Sequence, residues 1–400
     1  MEISSYIWIA IGVLVFIGVR EWVDRIIIKR AHEFVEEDSE NDCDDEPTGY
    51  CAEFFNNAEL SGEDVRRMVN EGLDPTICST HGYTPLFYEH KPDAIEALYE
   101  AGVDPHAVDQ NGWNMIHHMA AEDYGAEPLY ARATVELAQR CGLDINARTN
   151  DNEQLTPLAM ALNEDEGSAD IARLLLEFGA DPNKTSFFEE EDDDGNEQLV
   201  EYSPLQRCRR YTDLMLVAAG ADTSQTDTEW SPLQLATARG QALSVNECLE
   251  AGADADDGGD IGYTPIEIAA FFNHVDILKS LVAKASGFNK DEALYMAAWY
   301  GSADALNYLI ELGADIEYRT YGLSPLMTIC EKQAESPCNA EGYFKSAEIL
   351  LKAGANPNAT HISTAGKHTW ITTPLNCTLQ GSTMRKILIA GGATNEGGKQ

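Results

Sequence analysis

The residues best suited to chemistry are six consecutive acids, Glu189 to Asp194. With their neighbours they approach the spacing of a calcium-binding loop, whose key positions fall on Glu190, Asp192, Asp194, Gly195 and Glu201. The match is poor, because Glu replaces Asp at the first ligand position, Glu197 occupies the usual apolar position and no long flanking helices are visible. We therefore expect no metal ion and no cofactor, and interpret the run as an acidic contact surface.

The overall charge favours a protein partner over nucleic acid. The chain holds 27 Lys and Arg against 68 Asp and Glu, a formal net charge of -41. Binding to a phosphate backbone needs clustered basic residues, and the sequence offers only Arg207, Arg209 and Arg210 as a cluster. The partner is expected to be basic. The nine cysteines show no metal-binding or redox spacing, which indicates reduced thiols.

The first 30 residues are typical of a membrane anchor. An apolar run extends from Tyr6 to Val19, and residues 3–22 are just long enough to cross a bilayer. Basic residues follow the run, which predicts a single-pass protein with its remaining chain in the cytoplasm; they are Arg20, Arg25, Lys29 and Arg30. Residues 31–50 are strongly acidic and predict a disordered tether, because like charges repel and little apolar surface is available.

A repeated phrase organises the rest of the chain. Thr or Ser followed by Pro predicts a helix start, since the hydroxyl caps the first turn and Pro presets its φ; these pairs begin at Thr84, Thr156, Ser203, Ser231, Thr264, Ser324 and Thr373. Two short apolar-periodic runs follow, and endings such as "EFGADPN" and "EAGADA" predict a helix end at glycine. The predicted unit is a helix, a turn, a second helix and a hairpin loop.

This unit resembles the ankyrin repeat, most closely over residues 262–282 and 229–254. The resemblance implies an all-α ankyrin-repeat solenoid over residues 51–396, with about nine or ten repeats, hairpin fingers and a polar tail at 397–400. Longer fingers are expected near 184–202 and 357–372. The copies at Asn114-Met115 and Glu292-Ala293 lack the Thr-Pro pair, so the local geometry is open there.

The histidines are expected to be structural. In the resembled family, the positions of His117 and His274 hold histidines that serve as hydrogen-bonding groups. The sequence identifies no Ser, Cys or carboxylate partner for His90, His106 or His118. No stretch long enough for a separate catalytic domain remains, so we expect no enzyme activity.

Aromatic residues supply the second candidate contact surface. The resemblance places the residue before each Thr/Ser-Pro pair on the inner side of a finger, where Tyr and Trp are suited to anchor a partner. The predicted partner-binding set joins these aromatics to the acidic insertion; it is Tyr83, Trp113, Tyr202, Trp230, Tyr263, Phe187, Phe188, Glu189, Glu190, Asp192 and Asp194. The alternative is that each aromatic packs against the adjoining finger.

Three functions fit these patterns. The first is a non-enzymatic, membrane-tethered scaffold that recruits or sequesters a basic protein at the cytoplasmic face. The second is an immunity or inhibitor protein that neutralises a toxin or a membrane-acting enzyme. The third is a regulatory subunit of an enzyme. Composition and motifs favour the first, with a protein as partner, a membrane contact through the N-terminal helix and no small-molecule substrate.

Overall fold

A computed structural model describes residues 60–79, 81–88, 91–121, 128–162, 168–191, 197–208, 212–335, 340–365, 368–378 and 382–394. The predicted anchor at 1–30, the tether at 31–50, the start of the repeat region and the tail lie outside these residues. Within the described residues, no helix has both the length and the apolar character needed to cross a bilayer.

The described chain is a succession of short helices with two β-hairpins. The first half contains α1 (Gly62–Asn70), a 3₁₀ turn (Pro85–Phe87), α2 (Pro92–Glu100), α3 (Met115–Ala121), α4 (Pro128–Cys141), α5 (Pro157–Ala161), α6 (Ala169–Glu177), β1 (Ser186–Glu191), β2 (Glu197–Tyr202), α7 (Pro204–Arg207) and α8 (Thr212–Ala218). The second half contains a 3₁₀ turn (Thr223–Gln225), α9 (Pro232–Ala238), α10 (Ala242–Glu250), α11 (Pro265–Phe271), α12 (Val275–Val282), α13 (Lys290–Tyr300), α14 (Ala303–Glu311), α15 (Pro325–Glu335), α16 (Ala340–Ala353), β3 (His361–Ala365), β4 (His368–Thr372) and α17 (Thr383–Ala390).

Five of the seven Thr/Ser-Pro pairs start an α-helix as predicted, at Pro157, Pro204, Pro232, Pro265 and Pro325. The hydroxyl of Thr264 accepts the Glu267 N–H at 3.2 Å while the Glu267 carboxylate accepts the Thr264 N–H at 2.9 Å, so two otherwise unpaired donors are satisfied. Asn substitutes for Thr where the pair is missing: the Asn114 side chain accepts two N–H groups of α3, and Asn289 caps α13.

The prediction of an α-helix was wrong at the other two pairs. Pro85 begins one 3₁₀ turn, because Pro92 follows closely and starts the next helix. Pro374 begins a turn that ends by residue 377. Asn376, Thr378 and Gly381 are poor helix formers, and Thr373 completes a single capped turn by accepting the Asn376 N–H at 3.2 Å.

Glycines end the second helices as predicted. Gly179, Gly252 and Gly313 adopt φ values of 93°, 94° and 79°. The residue after each glycine then donates its N–H back into the last helical turn, for example from Ala180 to the Leu175 carbonyl at 2.9 Å and from Ala314 to Leu309 at 3.1 Å. The chain therefore reverses at the same point in each repeat.

The helices form two rows that share two apolar clusters, one mainly in each half of the array. Within the first row, α9 contacts α11, α11 contacts α13 and α13 contacts α15; within the second row, α10, α12, α14 and α16 contact in the same order. The alanines that the repeated phrase supplies, such as Ala269, Ala270 and Ala297, are fully buried and allow the helices to approach closely. The fold is a helical solenoid, as the resemblance implied.

Two of the fingers are β-hairpins, at the positions where insertions were predicted. Strands β1 and β2 pair antiparallel from Ser186 opposite Tyr202 to Glu191 opposite Glu197. Strands β3 and β4 pair from His361 opposite Thr372 to Ala365 opposite His368. The first hairpin contains eight acidic residues and no Lys or Arg, whereas the second contains no acidic residue. The insertions therefore share a shape and differ in charge.

A glycine pair tests the helix-ending turn. Gly252 has a positive φ and open space around its Cα, while Gly287 also has open space but no positive φ. Gly252→Ala should destabilise the fold by roughly 1–2 kcal/mol, because a Cβ is strained at that φ. Gly287→Ala should change stability by less than about 0.5 kcal/mol. Urea midpoints of both variants measure this, and equal midpoints would contradict the role assigned to Gly252.

Candidate functional site

The acidic hairpin is fastened to the helical stack by Arg207, a residue of α7. Its guanidinium carbon lies 4.4 Å from the ring centroid of Phe188 and 5.5 Å from that of Tyr202. Arg207 Nη1 also lies 3.7 Å from Glu190 Oε1. A hydrogen bond to Glu190 raises the pKa of the Tyr202 hydroxyl. Phe188, Glu190 and Tyr202 share one face of the hairpin, so this face packs onto the protein and fixes the hairpin's orientation.

Strand β1 is joined to the preceding finger. The Phe187 N–H donates to the Glu153 carbonyl at 2.8 Å, and the Arg148 guanidinium donates to the Thr185 carbonyl at 2.8 Å. At the base of the hairpin, Thr185 Oγ1 donates to Glu201 Oε1 at 2.5 Å. These contacts leave β2 as the more exposed strand: Gln198, Leu199 and Glu201 are all exposed, and Leu199 retains 45% of its accessible surface.

The calcium-loop alternative does not match this geometry. The candidate ligands Glu190 and Glu201 lie on β-strands, where a calcium loop of this type needs flanking helices. Glu190 is close to Arg207 and Glu201 accepts from Thr185, on opposite faces of the hairpin. Asp192 and Asp194 lie outside the described residues. Among the described residues, no group of three or more His, Cys, Asp or Glu side chains is arranged to hold a metal ion.

The sequence comparisons agree with the repeated geometry. A family model described as "Ankyrin repeats" matches residues 88–186 and 208–291 in three copies. These two segments contain ankyrin repeats. The acidic hairpin, residues 186–202, starts at the end of the first matched segment and lies in the interval before the second.

Three relatives share parts of the array. Over 201 residues the chain is 27% identical to the B-cell lymphoma 3 protein homolog of Mus musculus, covering 50% of this chain and 42% of that protein. It is 29% identical over 143 residues to the Ankyrin repeat and KH domain-containing protein mask-1 of Caenorhabditis elegans, covering 35% and 5%. It is 36% identical over 66 residues to the E3 ubiquitin-protein ligase KEG of Arabidopsis thaliana, covering 16% and 4%. The chain thus spans less than half of each relative.

The predicted series of finger aromatics divides into two groups. Trp230 and Tyr263 are 8% and 5% exposed and belong to the apolar core, so the packing alternative describes them better than the contact surface does. Tyr83 and Trp113 are half-buried and surround the His118 ring, at centroid distances of 5.5 and 5.4 Å. Tyr202 is half-buried against Arg207. Only part of the predicted set therefore presents surface to a partner.

Exposed residues on a different finger escaped the sequence analysis. Tyr321 is 70% exposed and has a φ of 53°, a conformation that is uncommon for a bulky residue. It forms a two-residue turn with Gly322 between Thr320 and Leu323, which form a bridge. Ile362 on the adjacent hairpin is 60% exposed. The "YG" pair, a turn signal inside a finger, is the sequence feature that identifies this tip.

One cleft in the described part of the chain lies where the two halves of the array meet. It measures about 360 Å³ and is lined by Arg173, Leu176, Glu177, Met215, Ala218, Ala219, Phe272 and Tyr300. Arg173 forms an ion pair with Asp170 at 3.0 Å and lies over the Tyr300 ring at 5.2 Å. Its charge is already matched, so the cleft has no spare cation for an anionic ligand.

His117, His118 and His274 make hydrogen bonds or ion pairs within the array. His117 is fully buried, with Nε2 3.1 Å from the Ala147 carbonyl and Nδ1 3.3 Å from the Asn114 N–H. His274 hydrogen-bonds to the backbone of Ala238, and burial lowers its pKa. His118 does have a carboxylate partner, since Nε2 lies 3.3 Å from Asp109 Oδ2. That pairing joins Asp109 of the finger to helix α3 and was invisible in the sequence.

Burial of His117 predicts a pH dependence of stability. Burial lowers the pKa of His117 to about 4, whereas an unfolded histidine titrates near 6.5. Between these values the unfolded state binds more protons, so stability falls as the pH drops from about 6.5 to about 4 and then levels off. The full loss is on the order of 3 kcal/mol. His117→Gln should flatten this part of the curve of urea midpoint against pH. An unchanged slope in the variant would contradict the assignment.

Proposed function

We propose that this chain is a non-enzymatic scaffold that binds a basic protein through its ankyrin array and holds it at the cytoplasmic face of a membrane. The observation that carries the proposal is the acidic hairpin. It is extended from the array, bears eight acidic residues without a basic one, and is oriented by Arg207 before any partner arrives. A preorganised surface loses less conformational entropy on binding than a flexible loop does.

A protein partner fits the geometry better than a small molecule. The surfaces that project from the array are fingers, and their exposed residues lie on edges and tips rather than in an enclosed cavity. The acids of the hairpin would steer a basic partner towards it, because complementary charge raises the association rate. The half-buried aromatics Tyr83, Trp113 and Phe187 would supply apolar contacts beside this charge.

We reduce the predicted set of partner-binding residues on the basis of their burial and contacts. We assign direct contact to Phe187 and Glu189, and to Asp192 and Asp194, which lie outside the described residues. Glu190 lies beside Arg207 on the docked face and therefore has a positioning role. Phe188 and Tyr202 act mainly by positioning the hairpin, because both rings pack against Arg207. Trp230 and Tyr263 support the finger bases from the core.

The proposed membrane attachment and orientation are supported by the sequence of the first 30 residues. The apolar run would span the bilayer, and the four basic residues on its C-terminal side would keep the array in the cytoplasm. The acidic segment at 31–50 would separate the array from the negatively charged membrane surface through mutual repulsion.

Matched charge variants test the hairpin. Two triple variants each remove three negative charges. The hairpin variant is Glu189→Gln, Glu197→Gln, Glu201→Gln, and the control is Glu247→Gln, Glu250→Gln, Glu311→Gln. Glu201 and the three control positions are exposed. The partner is first captured from cell extract with the full chain and identified. Its affinity should then fall about tenfold or more in the hairpin variant, with a shallower salt dependence, and less than about threefold in the control. Equal losses would show that the net charge, not the hairpin, attracts the partner.

Fractionation tests the anchor. The full chain should remain with membranes through an alkaline carbonate wash, and a chain that starts at residue 31 should be released, because a spanning helix is effectively inserted irreversibly. A reporter fused after Gln400 should be active in the cytoplasm. Release of the full chain by carbonate would remove the membrane from the proposal, and reporter activity on the opposite side would reverse the orientation.

A further inference from the structure

The outer edge of β2 offers unpaired backbone groups in a defined pattern. In an antiparallel pair, residues alternate between those that bond across the pair and those whose N–H and C=O point outward. The Phe187 N–H points outward, to Glu153, so Phe187 and its partner Glu201 form a non-bonded pair. Leu199 lies two residues before Glu201 on β2, so it also belongs to a non-bonded pair. The N–H and C=O groups of Leu199 and Glu201 therefore point away from β1.

No backbone hydrogen bond from another described element reaches this edge. The backbone groups of Leu199 and Glu201 make no hydrogen bond with the described residues of the next finger, 222–230. Strand β1 is different, because Glu153 already bonds to it. Both β2 residues are exposed, and Leu199 is among the most exposed large apolar residues on the described surface. The hairpin thus has one edge docked against the array and one edge open.

We infer that a basic, extended segment of the partner protein binds as a third strand along β2. The inference rests on the proposed function and specifies how the hairpin recognises its partner. Backbone hydrogen bonds to Leu199 and Glu201 would provide affinity, and alternate side chains would provide specificity. Glu201 and Leu199 lie on one face, so the added strand carries a Lys or Arg opposite Glu201 and an apolar residue opposite Leu199, two positions apart.

Charge decides which strand can occupy the edge. Exposed edges tend to pair with other copies of the same chain, and charged residues commonly prevent this. A second copy would bring an equally acidic strand against β2, with like charges facing each other. A basic strand instead places opposite charges together. The acids therefore exclude self-association and admit a basic heterologous strand at the same edge.

A synthetic peptide provides the probe. The peptide Lys-Thr-Val-Thr-Lys-Thr-Val-Thr-Lys places alternating Lys and Val on one face of a strand and carries a fluorophore for anisotropy. The control peptide has the same side chains but methylated backbone nitrogens, so it keeps the charge and lacks N–H donors. The full chain should bind the first peptide at least about tenfold more tightly than the second. Equal binding, or no binding of the first peptide, overturns the inference.

A proline variant tests the protein side. Leu199→Pro removes an outward N–H while leaving the bonds that Gln198, Val200 and Tyr202 make to β1, and proline is tolerated at edge positions. Leu199→Thr is the matched control, because it keeps the N–H and suits a strand. Peptide binding should weaken at least about tenfold in Leu199→Pro and less than about threefold in Leu199→Thr. Circular dichroism verifies that both variants fold, and wild-type affinity in Leu199→Pro overturns the inference.

The captured partner separates this inference from the proposed function. If the partner is lost by the hairpin charge variant but retained by Leu199→Pro, the hairpin recognises the partner and strand addition is wrong. If neither variant affects the partner, the proposed role of the hairpin is itself wrong. A concentration-dependent dimer in sedimentation that Leu199→Pro dissociates would assign the edge to a second copy and overturn the inference as well.

Discussion

The turn at the end of each second helix is the constraint on which the array depends. A repeat of two short helices has too little apolar surface to fold alone and gains stability only when its neighbour stacks beside it. Stacking in register requires each repeat to leave its second helix in the same direction. The positive φ of Gly179, Gly252 and Gly313 and the bond from the following N–H into the last turn give that common direction. The rows of helices, the shared core and the placement of the fingers all follow from it.

Contacts across the middle of the array add to nearest-neighbour stacking. The Arg173 guanidinium in α6 lies over the ring of Tyr300, which ends α13 several repeats later. Arg239 at the end of α9 donates to the Val217 and Ala221 carbonyls at 3.3 and 3.2 Å, satisfying the last turn of α8. Phe271 and Met296 extend the first-half core into the second half. Because the Arg173–Tyr300 contact joins repeats that are not neighbours and the core of the first half continues into α11 and α13, the two halves should not unfold as independent units.

Local chemistry made the repeats predictable, and long-range packing limited the prediction of the site. A Thr-Pro pair or a terminal glycine acts within a few residues, so the helix starts at Pro232 and Pro265 and the helix ends at Gly252 and Gly313 could be inferred from the sequence.

Burial of Trp230 and Tyr263 depends on residues from other repeats, and no local pattern distinguishes them from the half-buried Tyr83 and Trp113. Pairing of His118 with Asp109 likewise depends on how the finger packs against α3. The acidic finger was found because insertion and charge are visible locally; its open edge was not, since strand phase requires a hydrogen bond to Glu153.

The adjacent Phe187 and Phe188 explain how the acidic hairpin can be held rigidly and still present one face to a partner. In a strand, neighbouring side chains point to opposite faces, so Phe187 and Phe188 cannot serve the same surface. Phe188 joins Tyr202 beneath the Arg207 guanidinium, and this cation–π contact with the nearby Glu190 carboxylate stabilises the hairpin without using the opposite face. Phe187 shares its face with Leu199 and Glu201, which places apolar surface among carboxylates. Arg207 thus holds this face of the hairpin, in addition to the bonds that join β1 to the preceding finger. The exposed Glu201 carboxylate lies on the opposite face, where it would attract a basic partner.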